Sequence, residues 1–309
     1  MQKKVTLRSL AQELGIAPAT VFRALTDHPN VTLSLRRKVL ALAQKRGYQL
    51  PEHRTKLAAI IIPGYQLEGY SGLLLSPLLR ELSEHGLHAE ILSIHDSEIL
   101  QDHIYDGVIS IVWNEGLEKQ WHEKYATPLV VLNAASNLRE GIYRVASDEK
   151  QGMTLALDHL YTKGRRRIAL VSPPLNNNPG AKLRTQLYQQ FCSAHHLPCL
   201  PFYSGNMQKT AGEILENHPD AVFSVCETHA PELLYHFLKK GLRIPEDIAL
   251  LGLEHRGFTP FTIPPLTALE QDFKELAKQA VQLLLHRING EPSEKEILVP
   301  YSFHLREST

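Results

Sequence analysis

The sequence predicts two unlike parts: an N-terminal all-α domain with a helix-turn-helix, and a larger α/β domain of two lobes with parallel sheets. Three observations lead to this fold class. Apolar residues recur at helical spacing through the first fifty residues, strand-like apolar runs alternate with helical patterns from residue 57 onward, and the second part repeats itself weakly. A length of 309 residues suits one small domain followed by a larger, two-lobed one.

The first fifty residues predict three helices. Thr6 is a good N-cap for the first helix. Gly15 interrupts the apolar pattern where a helix end needs a residue that tolerates positive φ, and Pro18 suits the first position of a second helix. A third helix is expected from near Thr32 to a stop at Gly47. A helix, a glycine-containing turn and a short second helix are typical of the helix-turn-helix, with a generic three-helix bundle as the alternative.

Charge is distributed unevenly. The formal net charge of the chain is zero, yet residues 1–56 hold 11 Lys and Arg against three acidic residues, so this segment carries +8 and the remainder −8. A basic segment on an acidic body indicates a module that binds phosphates. On the second helix, Pro18, Ala19, Thr20 and Arg23 are small or carry donors, which suits a major groove where Arg can pair with guanine.

Residues 5–48 resemble the DNA-binding headpiece of the LacI/GalR (lactose-repressor) family, whose pattern runs roughly VTLxDVAxxAGVSxxTVSRVLN and then VSxxTRxKVxxAAxELGY. In this chain Ala17 replaces the usual capping Ser, and Phe22 replaces a Ser of the recognition helix. The resemblance implies base-reading positions at Pro18, Ala19 and Arg23, with Arg23 contributing most. The full set of predicted DNA-contacting residues is Thr6, Arg8, Ala17, Pro18, Ala19, Thr20, Arg23, Arg54 and Lys56.

The linker departs from the family pattern. Family members carry a hinge helix whose leucine wedges between base pairs in the minor groove, whereas here only residues 51–56 (PEHRTK) precede the first strand at Leu57. Because a wedge that kinks DNA needs a rigid helix to hold it, we expect a linker that follows the DNA backbone through Arg54 and Lys56 without a sharp kink. The predicted domains are 1–50 for DNA binding, 51–56 as a short linker and 57–309 for effector binding and dimerisation.

The larger domain repeats itself. Residues 56–63 parallel residues 166–173, residues 106–113 parallel 220–227, and residues 128–133 parallel 248–252. Two similar lobes follow, each with a doubly wound sheet, facing each other across a cleft. The segments GLRIPEDIALLG (241–252) and IPPLTALEQD (263–272) also resemble the LacI/GalR sensor. That resemblance implies a periplasmic-binding-protein-like fold, a homodimer, an operator with two related half-sites and a small-molecule effector in the cleft.

Ligands of open α/β sheets bind beyond the carboxyl ends of the strands. Strand ends and the resemblance together give the predicted effector-binding residues Tyr65, Tyr70, Trp113, Gln151, Arg184, Glu227 and Glu254. An aromatic face beside carboxylates and an arginine suits a sugar or sugar derivative. Trp113 and Glu227 fall at equivalent points of the repeat, so we expect them to face each other. The alternatives are a Trp113 that only fills its lobe and an Arg184 held in a structural ion pair.

Other classes of protein are disfavoured. Three cysteines form no even disulfide framework, the 16 histidines show no metal-binding spacing, and neither a nucleophile elbow nor a phosphate loop is found. We therefore expect no cofactor, no metal and no enzymatic activity. With neither a signal peptide nor a long apolar run, the protein is expected to be cytoplasmic, without a membrane partner.

Three alternatives remain open: a regulator of the same family with little or no effector response, a sugar-binding protein without regulatory DNA binding, and an enzyme on an α/β scaffold. The run Arg165–Arg167 is interpreted as a solvated entry to a strand.

Overall fold

The computed structural model describes most of the chain. The described residues are 5–26, 28, 30–46, 48, 56–65, 67, 69–101, 105–111, 121, 127–132, 138, 140–176, 178–254 and 257–309.

The described part of the headpiece (residues 1–50) contains helices α1 (Leu7–Leu14), α2 (Pro18–Leu25) and α3 (Leu33–Lys45). As predicted, Thr6 caps α1: its hydroxyl accepts from the Ser9 N–H, while the Ser9 hydroxyl accepts from the Thr6 N–H. Gly15 ends α1 in the left-handed region at φ 65°, and Pro18 opens α2. The three helices share one apolar core, formed by Leu10, Ala11, Val21, Ala24, Leu25, Val31, Val39, Leu40 and Ala43.

The N-lobe is a parallel sheet with its helices. Its strands are β1 (Lys56–Ile62), β2 (Leu87–Ser93), β3 (Gly107–Ser110), β4 (Leu129–Leu132), β5 (Ile142–Ser147) and β11 (Glu296–Val299). They lie in the order β11-β5-β4-β3-β1-β2, and all neighbours pair in parallel. Helices α4 (Gly69–Glu84) and α9 (Phe273–Ile288) pack on one face, and a 3₁₀ segment covers Ile94–Gln101.

The C-lobe repeats this plan. Its strands are β6 (Ile168–Ser172), β7 (Leu200–Tyr203), β8 (Ala221–Ser224), β9 (Ala249–Leu253), β10 (Thr267–Glu270) and β12 (Ser302–His304). Its helices are α5 (Glu149–Thr162), α6 (Pro179–Ala194), α7 (Met207–Glu216) and α8 (His229–Lys239), with a 3₁₀ turn at Thr259–Phe261. The strand order is β12-β10-β9-β8-β6-β7, parallel except for the antiparallel β10–β12 pair.

The sheet order confirms the sequence repeat. Strands β1, β3 and β4 occupy the same places in the N-lobe sheet as β6, β8 and β9 in the C-lobe sheet. The equivalence extends to a carboxylate just before β3 and β8. Asp106 accepts from the N–H of Leu57 at 2.8 Å, and Asp220 accepts from the N–H groups of Arg166 and Arg167 at 2.7 and 3.0 Å. The repeated acidic residue therefore holds the start of the neighbouring strand in both lobes.

The arginine run directly precedes β6, and Arg166 and Arg167 are exposed, as a solvated strand entry requires, while the half-buried Arg165 is less so. The side chains also make hydrogen bonds that the interpretation did not include. Arg165 donates to the carbonyls of Asp220 and Pro245 at 3.2 and 2.8 Å, and Arg167 donates to two carbonyls in the loop before β8. These side chains tie β6 to the loops beside it.

The chain passes between the lobes after β5, after β10 and after β11. The buried Gln271 amide donates to the Ser147 hydroxyl at 2.7 Å, which joins the first two crossings. Gln151 bonds both backbone groups of Tyr301, donating to its carbonyl at 3.1 Å and accepting from its N–H at 2.9 Å. The three crossing segments are therefore connected by side-chain hydrogen bonds.

Strand β1 begins at Lys56, one residue before the predicted start, because Lys56 already pairs in register with Leu87 of β2. The linker up to residue 55, including the predicted DNA contact Arg54, lies outside the described residues.

Candidate functional sites

The first site is the outer face of α2. Ala17, Pro18, Ala19 and Arg23 are exposed and Thr20 is half-buried, while Val21, Ala24 and Leu25 of the same helix are buried in the headpiece core. The predicted contacts Thr6 and Arg8 are exposed as well, at the start of α1. The helix-turn-helix thus fixes α2 by one face and leaves the opposite face open.

Phe22 is an exposed aromatic residue on this face that the predicted contact set omits. Its side chain is 49% exposed. It lies one turn after Pro18 and Ala19, so the three share one side of the helix. The available sequence signal was the replacement of a small polar residue by a large apolar one on a helix already predicted to face DNA.

The second site is a polar cluster between the lobes, centred on Arg184 of α6. Its guanidinium binds Glu149 in a bidentate pair, with Nε–Oε2 and Nη2–Oε1 distances of 2.7 Å, and both side chains are largely buried. Arg184 also donates to the carbonyl of Val225 at 3.0 Å and to the Tyr301 hydroxyl at 3.3 Å. Burial alone lowers the pKa of Arg184, but Glu149, Tyr301 and Glu227 outweigh that effect and raise it well above its ordinary value.

Glu149 and Tyr301 belong to this cluster although the predicted set lacks them. The Tyr301 hydroxyl donates to Glu149 at 3.1 Å, and burial first, with Glu149 adding to it, raises the pKa of Tyr301. A Cβ at Gly152 would lie 2.6 Å from the Tyr301 ring, so only glycine lets α5 approach the ring this closely. Gln151, a predicted effector residue, holds the Tyr301 backbone with both ends of its amide.

Tyr70 and Glu227 bring the two lobes together at the cluster. Tyr70 is in the first turn of α4 in the N-lobe, with its ring edge-on to Phe273 at 5.7 Å. Burial first, and then the proximity of Tyr301, Glu149 and Glu227, raises the pKa of Tyr70 well above its ordinary value. A Cβ at Gly69 would lie 3.7 Å from Oε2 of Glu227, which follows β8 in the C-lobe.

The remaining predicted effector residues are placed differently. Glu254 is buried and engaged by Arg306 at 3.2 Å and by the backbone and hydroxyl of Thr259. Tyr65 is exposed and donates to Asp96 at 3.0 Å. Trp113 lies outside the described residues, so its expected position opposite Glu227 stays a prediction.

Metal sites and membrane-spanning helices are not found among the described residues. Within the part of the chain that the structure describes, no group of three or more His, Cys, Asp or Glu side chains is arranged to hold a metal ion. None of the helices in the described ranges is both long enough and apolar enough to cross a membrane.

Comparison with known proteins gives full-length matches. A family model described as a periplasmic binding protein-like domain matches residues 157–309. Catabolite control protein A of Priestia megaterium is 25% identical over 99% of this chain and 99% of its own length. The ribose operon repressor of Halalkalibacterium halodurans is 26% identical over 98% of this chain and 97% of its own. The structure of the Lac repressor dimer bound to operator and the anti-inducer ONPF matches with a TM-score of 0.76 at 20% identity, covering 99% of each chain.

The relatives match through the headpiece, the linker and both lobes, and the structural match reproduces the fold of the whole chain. Over nearly its whole length the chain is therefore similar to proteins named as transcriptional repressors, and it shares the fold of the Lac repressor.

Proposed function

We propose that this protein is a sequence-specific repressor that binds operator DNA through its headpiece and is controlled by a sugar or sugar derivative bound between its lobes. The observation that carries the DNA-binding part is the outer face of α2, where Pro18, Ala19 and Arg23 are exposed on a helix anchored by its other face. The relatives named as operon repressors and the Lac repressor structure with operator support it.

The proposal divides the chain as the sequence suggested, with one shift. Residues 1–50 bind DNA, and the later residues bind the effector and dimerise. The linker between them ends at residue 55, because Lys56 begins β1. Lys56 remains a candidate phosphate contact, since it is exposed at the first position of that strand. We further propose that the protein has no enzymatic activity and works in the cytoplasm, where its operator lies.

An exposed apolar patch on the C-lobe supports the homodimer. Phe258, Phe261 and Ile263 are 56%, 84% and 83% exposed within six residues of chain, and Leu305 is 59% exposed. Clustered large apolar side chains on a surface mark protein contacts. A second copy of the chain is the proposed occupant. Phe261→Glu is expected to shift the protein from dimer to monomer in light scattering, whereas a dimer that persists would place the contact elsewhere.

DNA binding is tested with the full-length protein and fragments of its own genome. Selection should enrich fragments that contain two related half-sites. On the selected site, Arg23→Ala is expected to weaken binding by about 1–3 kcal/mol and to reduce discrimination at one base pair. Arg80→Ala, at an exposed position of α4, is the matched control. An equal loss on every DNA sequence would make Arg23 a phosphate contact, and no enrichment would contradict the proposal.

Phe22 is added here to the proposed DNA contacts, as an apolar reader of the thymine methyl group. The methyl group distinguishes thymine from the other bases in the major groove. Replacing single thymines of the selected site by uracil should weaken binding at one position for the native protein and not for Phe22→Ser. If no single replacement changed the affinity of the native protein, Phe22 would not read a thymine methyl group.

For the effector, we propose that Tyr70, Arg184 and Glu227 form the contact face, and that Gln151 acts by holding Tyr301. The observation that supports this is the convergence of an N-lobe side chain with C-lobe charges. Thermal-shift measurements on the full-length protein against sugars test it. Because Glu149 already satisfies Arg184, a family member with little effector response is the second candidate, and the absence of any shift would favour it.

A further inference from the structure

The charges of the inter-lobe cluster do not balance. Glu149 and Arg184 cancel in their bidentate pair, which leaves the carboxylate of Glu227. Glu227 is 9% exposed, and its carboxylate oxygens are not among the fully enclosed polar atoms that lack a hydrogen-bond partner. The carboxylate can therefore accept hydrogen bonds from a ligand that enters the cluster. The cluster therefore presents an excess of negative charge to whatever enters it.

Arg184 offers little to a second anion. A guanidinium has five N–H donors, and four hydrogen bonds already engage this one: two with Glu149 and one each with Val225 and Tyr301. A carboxylate or phosphate binds arginine best through two parallel N–H bonds. The one remaining N–H of Arg184 can bond a ligand hydroxyl, but it cannot form the two parallel bonds that a carboxylate or phosphate prefers. Among the described residues of the cluster, an entering anion would meet two carboxylates, Glu149 and Glu227, against the single cation Arg184.

The hydroxyl of Tyr70 gives the cluster an unfilled polar group. It is buried and has no hydrogen-bond partner in the described part of the chain. Buried polar groups are nearly always paired, so an unpaired hydroxyl beside the carboxylate of Glu227 indicates a place for a polar ligand. A ligand hydroxyl can both donate to Glu227 and accept from Tyr70, whereas a ligand carboxylate can only accept.

We propose, on the basis of the effector role given above, that this site selects its ligand by charge: it takes a neutral polyhydroxyl compound or an amino sugar, and it rejects sugar acids and sugar phosphates. Glu227 sets this preference by accepting hydrogen bonds from the ligand. Arg184 contributes a single donor and otherwise serves, through Glu149, to hold the wall of the site.

The test uses the full-length protein and matched sets of ligands. Each set contains one hexose as the neutral sugar, the 2-amino sugar, the uronic acid and the 6-phosphate, and binding is measured by calorimetry. In the set that binds, the acid and the phosphate should bind about tenfold or more weakly than the neutral sugar, because like charges in a desolvated site are strongly unfavourable. Glu227→Gln should reduce this difference in affinity between the neutral sugar and the two anionic ligands. Glu232→Gln, at an exposed position of α8, is the matched control.

The outcomes separate the two proposals. A uronic acid or phosphate that binds more tightly than its neutral counterpart overturns the charge selection and leaves the effector role intact. Failure of every set to bind overturns the effector role itself, and the charge selection with it.

Discussion

The two lobes share a strand order and a repeated sequence, but their last strands run in opposite senses. In the N-lobe, β11 pairs with β5 in parallel, whereas in the C-lobe β12 pairs with β10 in antiparallel fashion. The antiparallel strand carries the end of the chain back across the C-lobe, where Ser308 is fully buried. The two repeats therefore differ in one respect: residues after β12 pack into the C-lobe and hydrogen-bond its strands, whereas the N-lobe sheet ends in a parallel strand.

The difference extends to the site. Among the described residues, the C-lobe supplies Glu149, Arg184 and Glu227, and the N-lobe supplies Tyr70. Arg306, near the end of the chain, holds Glu254 at 3.2 Å. The C-lobe side chains thus form a polar cluster in which Glu149 and Arg184 already bond each other, which we call the C-lobe platform. The N-lobe adds Tyr70, whose buried hydroxyl has no hydrogen-bond partner among the described residues.

The largest effect is expected at the centre of that platform. Arg184→Met removes the partner of Glu149 and leaves a buried carboxylate uncompensated, which should lower the free energy of unfolding by about 3–5 kcal/mol. Urea unfolding measures it. The double variant Glu149→Gln with Arg184→Met should recover much of the loss. A single variant within about 1 kcal/mol of the native protein would show that the pair is dispensable to the platform.

A smaller loss of free energy of unfolding is expected when the hydrogen bonds of Ser308 to the C-lobe strands are removed. The Ser308 hydroxyl donates to the carbonyl of Leu250 at 2.5 Å and accepts from the N–H of Thr267 at 2.8 Å. Ser308→Ala leaves both backbone groups buried without that partner, at a cost of about 1–3 kcal/mol. Ser302→Ala, at an exposed position of β12, is the matched control. If the two variants were equally stable, the contacts of Ser308 would not stabilise the C-lobe, and this difference between the lobes would have no energetic consequence.

Local features of the fold were predictable because their causes are local. The cap at Thr6, the left-handed end at Gly15 and the helix start at Pro18 each follow from one residue type in one position. The matching places of β1 and β6 followed from the repeat, since similar apolar runs form similar strands.

The interior of the site was less predictable because its partners are distant in sequence. Arg184 was predicted to bind an effector, with an ion pair as the alternative, but neither reading identified Glu149, 35 residues away, or Tyr301, 117 residues away. Strand ends show which residues reach the cleft and not which side chains meet there. The hydrogen bonds of Arg165 were not predicted for a related reason: its partners are backbone carbonyls, which leave no mark in the sequence.

The smallest effect is a pH dependence that originates in the C-lobe. Burial lowers the pKa of His229, whose Nδ1 has no hydrogen-bond partner among the described residues. Burial, followed by the proximity of Lys163, lowers the pKa of His159, whose Nε2 lies 2.8 Å from the Thr309 hydroxyl. An unfolded histidine takes up a proton near pH 6.5, whereas these folded ones resist it. Their contribution to stability is therefore present above about pH 6.5 and is lost as the pH falls through the lowered pKa values.

Urea unfolding at pH 7.5 and 5.5 should reveal this loss as a mean slope of at most about 1.4 kcal/mol per pH unit. An unfolded histidine is on average about half-protonated across this range, so the two histidines together take up about one proton at most. The variant His159→Gln with His229→Gln should flatten the slope, while His88→Gln, at an exposed position of β2 in the N-lobe, is the matched control. If the double variant kept the native slope, the proton uptake would lie outside these two histidines. The energetic difference between the C-lobe and the N-lobe would then depend on Arg184 and Ser308 alone.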